Sequence, residues 1–331
     1  MSEMPVEASA GYAAAFREHE RFLWALCYRM TGCAADADDL VQETFVRAIE
    51  RPPPRRDLPW RPWLTRVLVN LARDGLRRRR RRGYVGPWLP SPIETGGDEA
   101  PPAYEAELAG GRTTEGRYDL LESVTFAFLL ALEALTPLQR AVLVLRDVFD
   151  YSVDETADAL GVSVPNVKTS HHRARRAMQA YERARRRPTR ALQEETRQAL
   201  GRLVECLARG DAAGMEGLLT EDVRALSDGG GEFHAARVPV VGRTKVALFY
   251  TRIAARRPVL WSELRMLNGL PGLVTEFAGG LEGEATRIVV HIDVAADGRI
   301  RRIDTVLASR KMTAIASGER AMKPTRPLPE L

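Results

Sequence analysis

Leu135-Thr-Pro-Leu-Gln-Arg-Ala-Val-Leu-Val-Leu-Arg-Asp147, with the stretch that follows it to Arg187, decides the fold. Thr136, Pro137 and Gln139 make a capping box with proline at the first helical position, where its missing N–H costs nothing. Leu138, Val142 and Leu145 follow at helical spacing. Ser152 and Glu155 make a second capping box; Val153, Thr156, Ala157 and Leu160 then share a face, and Gly161 stops that helix. Ser163 caps a third helix. From there to Arg187, Lys168, Arg173, Arg175, Arg176, Arg183, Arg185, Arg186 and Arg187 stand against Glu182 alone. Such a concentrated positive field suits phosphate. Capped helix, tight glycine turn and basic second helix together read as a helix-turn-helix that binds DNA, in preference to a merely solvated basic face.

At 331 residues the chain is long for one core, so two or three domains are expected, and a hydrophobic content of 45% permits them. No apolar run approaches the roughly 18 residues of a membrane-spanning helix, and the N-terminus lacks a basic-then-apolar leader. The expected location is the cytoplasm, with no membrane partner. Cys27 and Cys33 lie six apart and Cys206 is remote, which is no spacing for zinc or redox chemistry. Buried thiols are expected, with no metal and no cofactor. The net charge of +5 is modest, and its clustering carries the information.

Gly11 to Met30 reads as a helix with Phe16, Leu23, Leu26 and Cys27 on its apolar side. In the next helix Ala37, Leu40, Val41, Phe45 and Ala48 make the buried stripe, leaving Asp38, Asp39, Gln42, Glu43 and Arg47 outside. Arg51-Pro-Pro-Pro-Arg-Arg-Asp57 cannot be helical, because each proline removes a donor and restricts its predecessor. It is a stiff basic loop. Helix returns near Pro62 with Trp63, Leu64, Val67, Leu68 and Leu71, and runs into six arginines, Arg77 to Arg82, which no packed face is expected to bury. A basic loop beside Trp60 and Trp63 suits unpaired nucleic acid, with aromatics stacking on bases and arginine neutralising phosphate. Trp63 reads as core; Trp60 reads either way.

Asp36-Ala-Asp-Asp-Leu-Val-Gln-Glu-Thr-Phe-Val-Arg-Ala48, then Trp63-Leu-Thr-Arg-Val-Leu-Val-Asn-Leu-Ala-Arg-Asp74, resembles region 2 of the extracytoplasmic-function (ECF) sigma factors. The helix-turn-helix resembles their region 4. The resemblance implies two all-α domains that bring RNA polymerase core enzyme to promoter DNA. It implies core-polymerase contact through Asp38, Asp39, Gln42, Glu43 and Arg47. It implies minus-ten contact through Arg55, Arg56, Asp57, Trp60, Arg66, Asn70, Arg73 and Arg77. Minus-thirty-five contact falls to Ser163, Asn166, Lys168, Thr169, His172, Arg173 and Arg176. One departure stands out: Ser170 and His171 occupy positions where the family usually has Arg and Leu. His171 lies on the stripe of Val167, Ala174 and Met178, which predicts a partly buried, hydrogen-bonded histidine.

Residues 84 to 116 hold five Pro, six Gly and six acids with one Arg, the composition of a flexible linker. Within it Trp88-Leu-Pro-Ser-Pro92 is an apolar knot that reads as a docking point. After an amphipathic helix over residues 189–207 come a short helix around Met215 and a strand from Asp222. A helix over 242–254 precedes strands over 260–267, 272–277, 285–294 and 299–308, and Asp297-Gly298 is the clearest hairpin turn. Helices followed by a meander argue for an α+β domain. This part resembles the SnoaL-like members of the NTF2-like fold, which implies a cone with a curved antiparallel sheet over a pocket.

With Asp228-Gly-Gly-Gly231, the whole chain resembles ECF sigma factors carrying a fused SnoaL-like extension, although Ser91 replaces the family's Glu and Ser309-Arg-Lys-Met312 replaces its Asn-Pro-Asp-Lys-Leu motif. The expected organisation is region 2 over 1–83, linker over 84–116, region 4 over 117–187, regulatory domain over 188–312 and a flexible tail over 313–331. The expected regulatory contact joins Trp88, Leu89 and Pro90 to Asp228, Gly229, Gly230 and Gly231. No catalytic residue is assigned. An alternative makes the C-terminal domain a small-molecule binder or catalyst using His291, Asp293, His234 and Asp228. A stand-alone helix-turn-helix regulator is a further alternative, and leaves residues 36 to 82 unexplained.

Overall fold

The computed structural model describes residues 6–52, 59–95, 118–279 and 282–316. Three helices come first: α1 (Val6–Thr31), α2 (Ala34–Glu50) and α3 (Trp60–Arg82). The apolar stripes do what their spacing predicts, with Ala37, Val41, Phe45 and Ala48 of α2 and Leu64, Leu68 and Ala72 of α3 buried. Gly32 ends α1 at φ 69°, and the Trp88 ring packs so closely that a Cβ at Gly32 would lie 2.5 Å from it.

Four helices of the second group follow: α4 (Phe126–Ala131), α5 (Pro137–Asp147), α6 (Val153–Leu160) and α7 (Val164–Ala184). Both capping boxes form, Thr136 with Gln139 and Ser152 with Glu155, and Gly161 turns the chain in the left-handed region at φ 62°. Each side-chain cap satisfies an otherwise orphaned N–H and is worth about 1 kcal/mol.

The two helical groups share one core, in which Leu23, Leu26 and Leu68 join Val124, Phe128, Val144 and Phe149. Two fully buried arginines cross the junction. Arg29 donates to Ser123 Oγ at 2.7 Å and to the Leu120 carbonyl at 2.9 Å. Arg140 donates to the Met30 carbonyl at 3.1 Å and to Glu133 at 2.6 Å. Burial pulls the Arg29 guanidinium down to about 9. The linker does not begin as a flexible tether either: Leu89, Pro90, Ser91, Pro92 and Ile93 are buried. Residues 96–117, and 317–331 of the expected tail, lie outside the described residues. Residues 313–316 pack, with Ile315 in an apolar cluster and the Ala316 carbonyl accepting from Arg265.

The C-terminal domain runs α8 (Arg190–Arg209), α9 (Ala212–Leu218), β1 (Leu219–Asp228), β2 (Val240–Val241), α10 (Arg243–Ala254), β3 (Val259–Leu267), β4 (Leu270–Phe277), β5 (Arg287–Val294) and β6 (Ile300–Val306). The six strands order β2-β1-β6-β5-β4-β3. The sheet is mixed, where an antiparallel one was expected, because the last strand of the β3–β6 meander pairs in parallel with β1. One sheet face packs on the domain's own helices, Val290, Ile292 and Ile303 against Leu200, Leu203 and Val246. Alternation along β5 sends Val289 and His291 to the opposite face, where Leu89 and Phe126 meet them. That second face is the floor on which the helical domains rest.

Candidate nucleic-acid interface

Val167, Ala174 and Met178 anchor α7, and that one-sided anchoring fixes what the helix shows to solvent. Ser163, Asn166, Lys168, Thr169, His172, Arg173 and Arg176 are all exposed. His171 is turned away: its ring nitrogen lies 2.8 Å from Asp147 Oδ1, and Arg175 donates to the same carboxylate at 2.9 and 3.1 Å. Burial pushes Asp147 up, but these hydrogen bonds and charges outweigh it and hold the carboxyl below its ordinary value. The unusual His171 is therefore absorbed into the packing of α7 on α5.

The basic face of α3 has a different fate. Arg66, Asn70 and Arg77 remain exposed, Trp60 is half-buried against the core, and Arg73 is drawn into contact with the second helical group. Arg73 donates to Asn70 Oδ1 at 3.3 Å and reaches the Leu160 carbonyl at 3.5 Å. The Arg66 guanidinium lies 3.2 Å from where a Cβ on Gly161 would stand, so the turn before α7 sits on α3. Two members of the arginine run, expected outside, are engaged: Arg79 donates to both Glu133 oxygens at 2.7 and 2.6 Å, and Arg80 to the carbonyls of Glu133 and Leu135. The turn between α4 and α5 supplies a carboxylate and carbonyl acceptors that no local pattern reveals. Arg55, Arg56 and Asp57 lie outside the described residues.

On α2, Asp38, Asp39, Gln42 and Arg47 are exposed and Glu43 is half-buried, pairing with Arg47 at 2.8 Å. Asp38 accepts from the Trp24 indole at 2.6 Å. Arg310, from the segment after β6, reaches Asp39 at 2.6 Å and Asp36 at 3.2 Å.

Asp228 joins the linker to the C-terminal domain. Its fully buried carboxylate accepts from Tyr84 at 2.7 Å, from the Leu89 amide at 2.7 Å and from the Gly230 amide at 3.0 Å. Lys311 pairs with it at 2.5 Å and also donates to the Leu89 carbonyl. Burial pulls the Lys311 ammonium below its ordinary value, against the attraction of Asp228. The Trp88 ring lies 4.3 Å from the Arg79 guanidinium and 4.5 Å from the Lys311 ammonium. Gly230 and Gly231 adopt φ 64° and 79°, and a Cβ at Gly229 would stand 2.5 Å from the Phe233 carbonyl oxygen. The Asp228 loop is thus joined to Leu89 and lies on the same cleft as Trp88, and Pro90 beside them in the chain is buried.

Asn268 was not anticipated. At the tip of the β3–β4 hairpin, with φ 53°, it donates to Tyr28 Oη at 2.7 Å and to the Val124 carbonyl at 2.8 Å. Its Oδ1 accepts from the Ile93 amide at 2.9 Å. The Asn268-Gly269 pair is itself a hairpin motif.

The acid-base set of the alternative reading does not assemble. His291 stacks on Phe126 at 3.8 Å, and burial draws it down to about 3, so it is neutral. Asp293 pairs with Arg301 at 2.7 Å, and His234 is exposed in a loop. The space beside His291 is about 120 Å³. Small-molecule sites are roughly 300–1,000 Å³.

Residues 15–82 match sigma-70 region 2 and residues 125–178 match sigma-70 region 4. Over 320 residues the chain is 32% identical to the ECF RNA polymerase sigma factor SigJ of Mycobacterium tuberculosis, covering 94% of this chain and 95% of that one. The chain belongs to the ECF sigma factors. As an ECF sigma factor it directs RNA polymerase to promoters and is a non-catalytic initiation factor. SigG of the same organism is 37% identical over 195 residues, covering 52% of this sigma factor and 49% of its own length. The crystal structure of M. tuberculosis SigJ aligns at a TM-score of 0.65 and 28% identity, covering 91% of this chain and 98% of that one.

Proposed function

We propose that this ECF sigma factor is held closed by its own C-terminal domain, residues 188–312, and that opening it releases promoter-directed transcription. Region 2, up to residue 83, contacts core polymerase through Asp38, Asp39, Gln42, Glu43 and Arg47. Trp60, Arg66, Asn70, Arg73 and Arg77, with Arg55, Arg56 and Asp57, take the minus-ten element. Region 4, residues 117–187, reads the minus-thirty-five element through the exposed face of α7. Regulation passes through Trp88, Leu89, Pro90 and the Asp228–Gly231 loop.

One observation carries this reading: Asn268 is hydrogen-bonded at once to α1, to the linker and to the turn before α4. The geometry of DNA adds to it. Promoter elements named minus ten and minus thirty-five are separated by roughly 25 base pairs, about 85 Å at 3.4 Å per base pair. Helices that share one core and touch at Arg73 and Leu160 do not span that length.

The test is transcription in vitro with core polymerase. Asn268→Ala and Trp88→Ala are expected to raise promoter-dependent transcription and core affinity relative to the full chain. Equal transcription from the full chain, both variants and a chain ending before Thr189 would refute the reading.

A further inference from the structure

A cleft of about 510 Å³ lies between α2 and α3 on one side and the segment after β6 on the other. Its volume suits a small molecule. Five cations face it: Arg78, Arg79 and Arg82 from α3, then Arg310 and Lys311. Three are matched, Arg79 by Glu133, Arg310 by Asp36 and Asp39, and Lys311 by Asp228. The remaining acid at the cleft, Glu232, accepts from the Ser309 amide and hydroxyl. Arg78 and Arg82 have no anionic partner among the described residues. They stand four residues apart on one side of α3, where like charges repel. The negative end of the α3 dipole accounts for a cation in the last turn. It does not account for two exposed ones set side by side in the wall of a cleft that a second domain closes on its far side, beside Trp88 and Leu76.

We infer that this cleft binds a small phosphorylated metabolite and that the bound anion draws Arg310 away from α2. A phosphate oxygen pair fits the planar fork of a guanidinium, and Arg78 and Arg82 offer two such forks with no anionic partner to displace among the described residues. Arg310 is held by two exposed ion pairs, to Asp36 and Asp39, with 62% of its side chain open to solvent. Ion pairs of that kind are weak, so a multivalent anion in the cleft competes effectively for it. Loss of the Arg310 contact bares Asp36 and Asp39, on the face proposed to meet polymerase. A duplex needs a long open face, whereas this cleft is walled by two domains. The coupling rests on the closed arrangement proposed above; the binding does not.

The experiment titrates pyrophosphate into the full chain calorimetrically at constant ionic strength, and in parallel follows the distance between spectroscopic labels on α2 and on α10 of the C-terminal domain. Saturable binding of one pyrophosphate is expected, weakened about tenfold or more in Arg78→Gln/Arg82→Gln. Arg173→Gln/Arg176→Gln on α7 is expected to leave it unchanged. Pyrophosphate is expected to lengthen the label distance in the parent and not in the cleft variant. Absence of saturable binding, or binding that survives the cleft variant and is lost in the α7 variant, overturns the site. Binding without lengthening overturns the coupling. Failure of the closed arrangement itself reads differently, as a long distance before any pyrophosphate is added.

Discussion

The two basic helices α3 and α7 are built alike and end in opposite situations. Each buries an apolar stripe and carries arginines on the other side. On α7 the cations that face outward stay there, because Asp147 ties down only His171 and Arg175. On α3 the outward face becomes an interface: Arg73 reaches Leu160, Arg66 lies by Gly161, and Arg79 and Arg80 are taken by Glu133 and Leu135. The difference teaches where control falls. In the closed arrangement the surface proposed to read duplex DNA remains open, and the surface proposed to capture unpaired bases is partly occupied, at Arg73 and beside Arg66.

The largest effect is expected from breaking the clasp at Asp228, between the linker and the C-terminal domain. Asp228→Ala leaves the buried Lys311 ammonium without its partner and removes the acceptor of Tyr84 and Leu89. Breaking one side of a buried pair costs about 3–5 kcal/mol. Urea unfolding followed by circular dichroism measures it, and a loss below about 1 kcal/mol would show that the clasp does not hold the domains.

Acid provides the next test. His291 is neutral in the fold with its pKa drawn down to about 3 by burial, and unfolding returns it to the ordinary 6.5. The unfolded chain therefore binds the extra proton between those values, and stability falls as pH falls below about 6.5. From neutrality to pH 5 the His291 contribution is a loss of about 2 kcal/mol. His291→Leu is expected to flatten that part of the curve; an identical slope in the two proteins would place the acid sensitivity elsewhere.

Smaller effects separate the two faces directly. Arg176→Ala is expected to leave stability unchanged and to lower the salt dependence of duplex binding by about one ion, measured on a minus-thirty-five fragment. Arg73→Ala on α3 is expected to change DNA binding by less than about 0.5 kcal/mol in the parent, where Arg73 is engaged at Leu160. In an Asn268→Ala background the same substitution is expected to weaken minus-ten binding. If Arg73→Ala weakens binding equally in both backgrounds, the contact with the second helical group does not occlude α3.

The helices were legible because their instructions are local. Thr136 with Gln139, Ser152 with Glu155 and the left-handed Gly161 fix three helix ends within a few residues of sequence. The stripes of α2, α3 and α8 likewise give which side is buried. They do not give what lies over it. Periodicity cannot state that Leu68 and Phe149 share a core, that Arg79 meets Glu133, or that β1 pairs with the distant β6 as well as with its chain neighbour β2. The Asp228 and Trp88 contact was reached through family resemblance, and Lys311 and Arg310 were missed because the motif at their position is altered. Asn268 was missed for another reason: its sequence reads as a hairpin turn, and its side chain acts on residues 28, 93 and 124.

The central claim is that the C-terminal domain holds regions 2 and 4 together in the free protein. Labels at Glu20→Cys on α1 and Gln179→Cys on α7, with Cys206 changed to Ser, report that distance by electron–electron double resonance. One short, narrow distribution is expected for the full chain, giving way to a long and broad one in Asn268→Ala and on binding core polymerase. A long, broad distribution in the unmodified free chain, or a short one that persists on polymerase, would contradict the account.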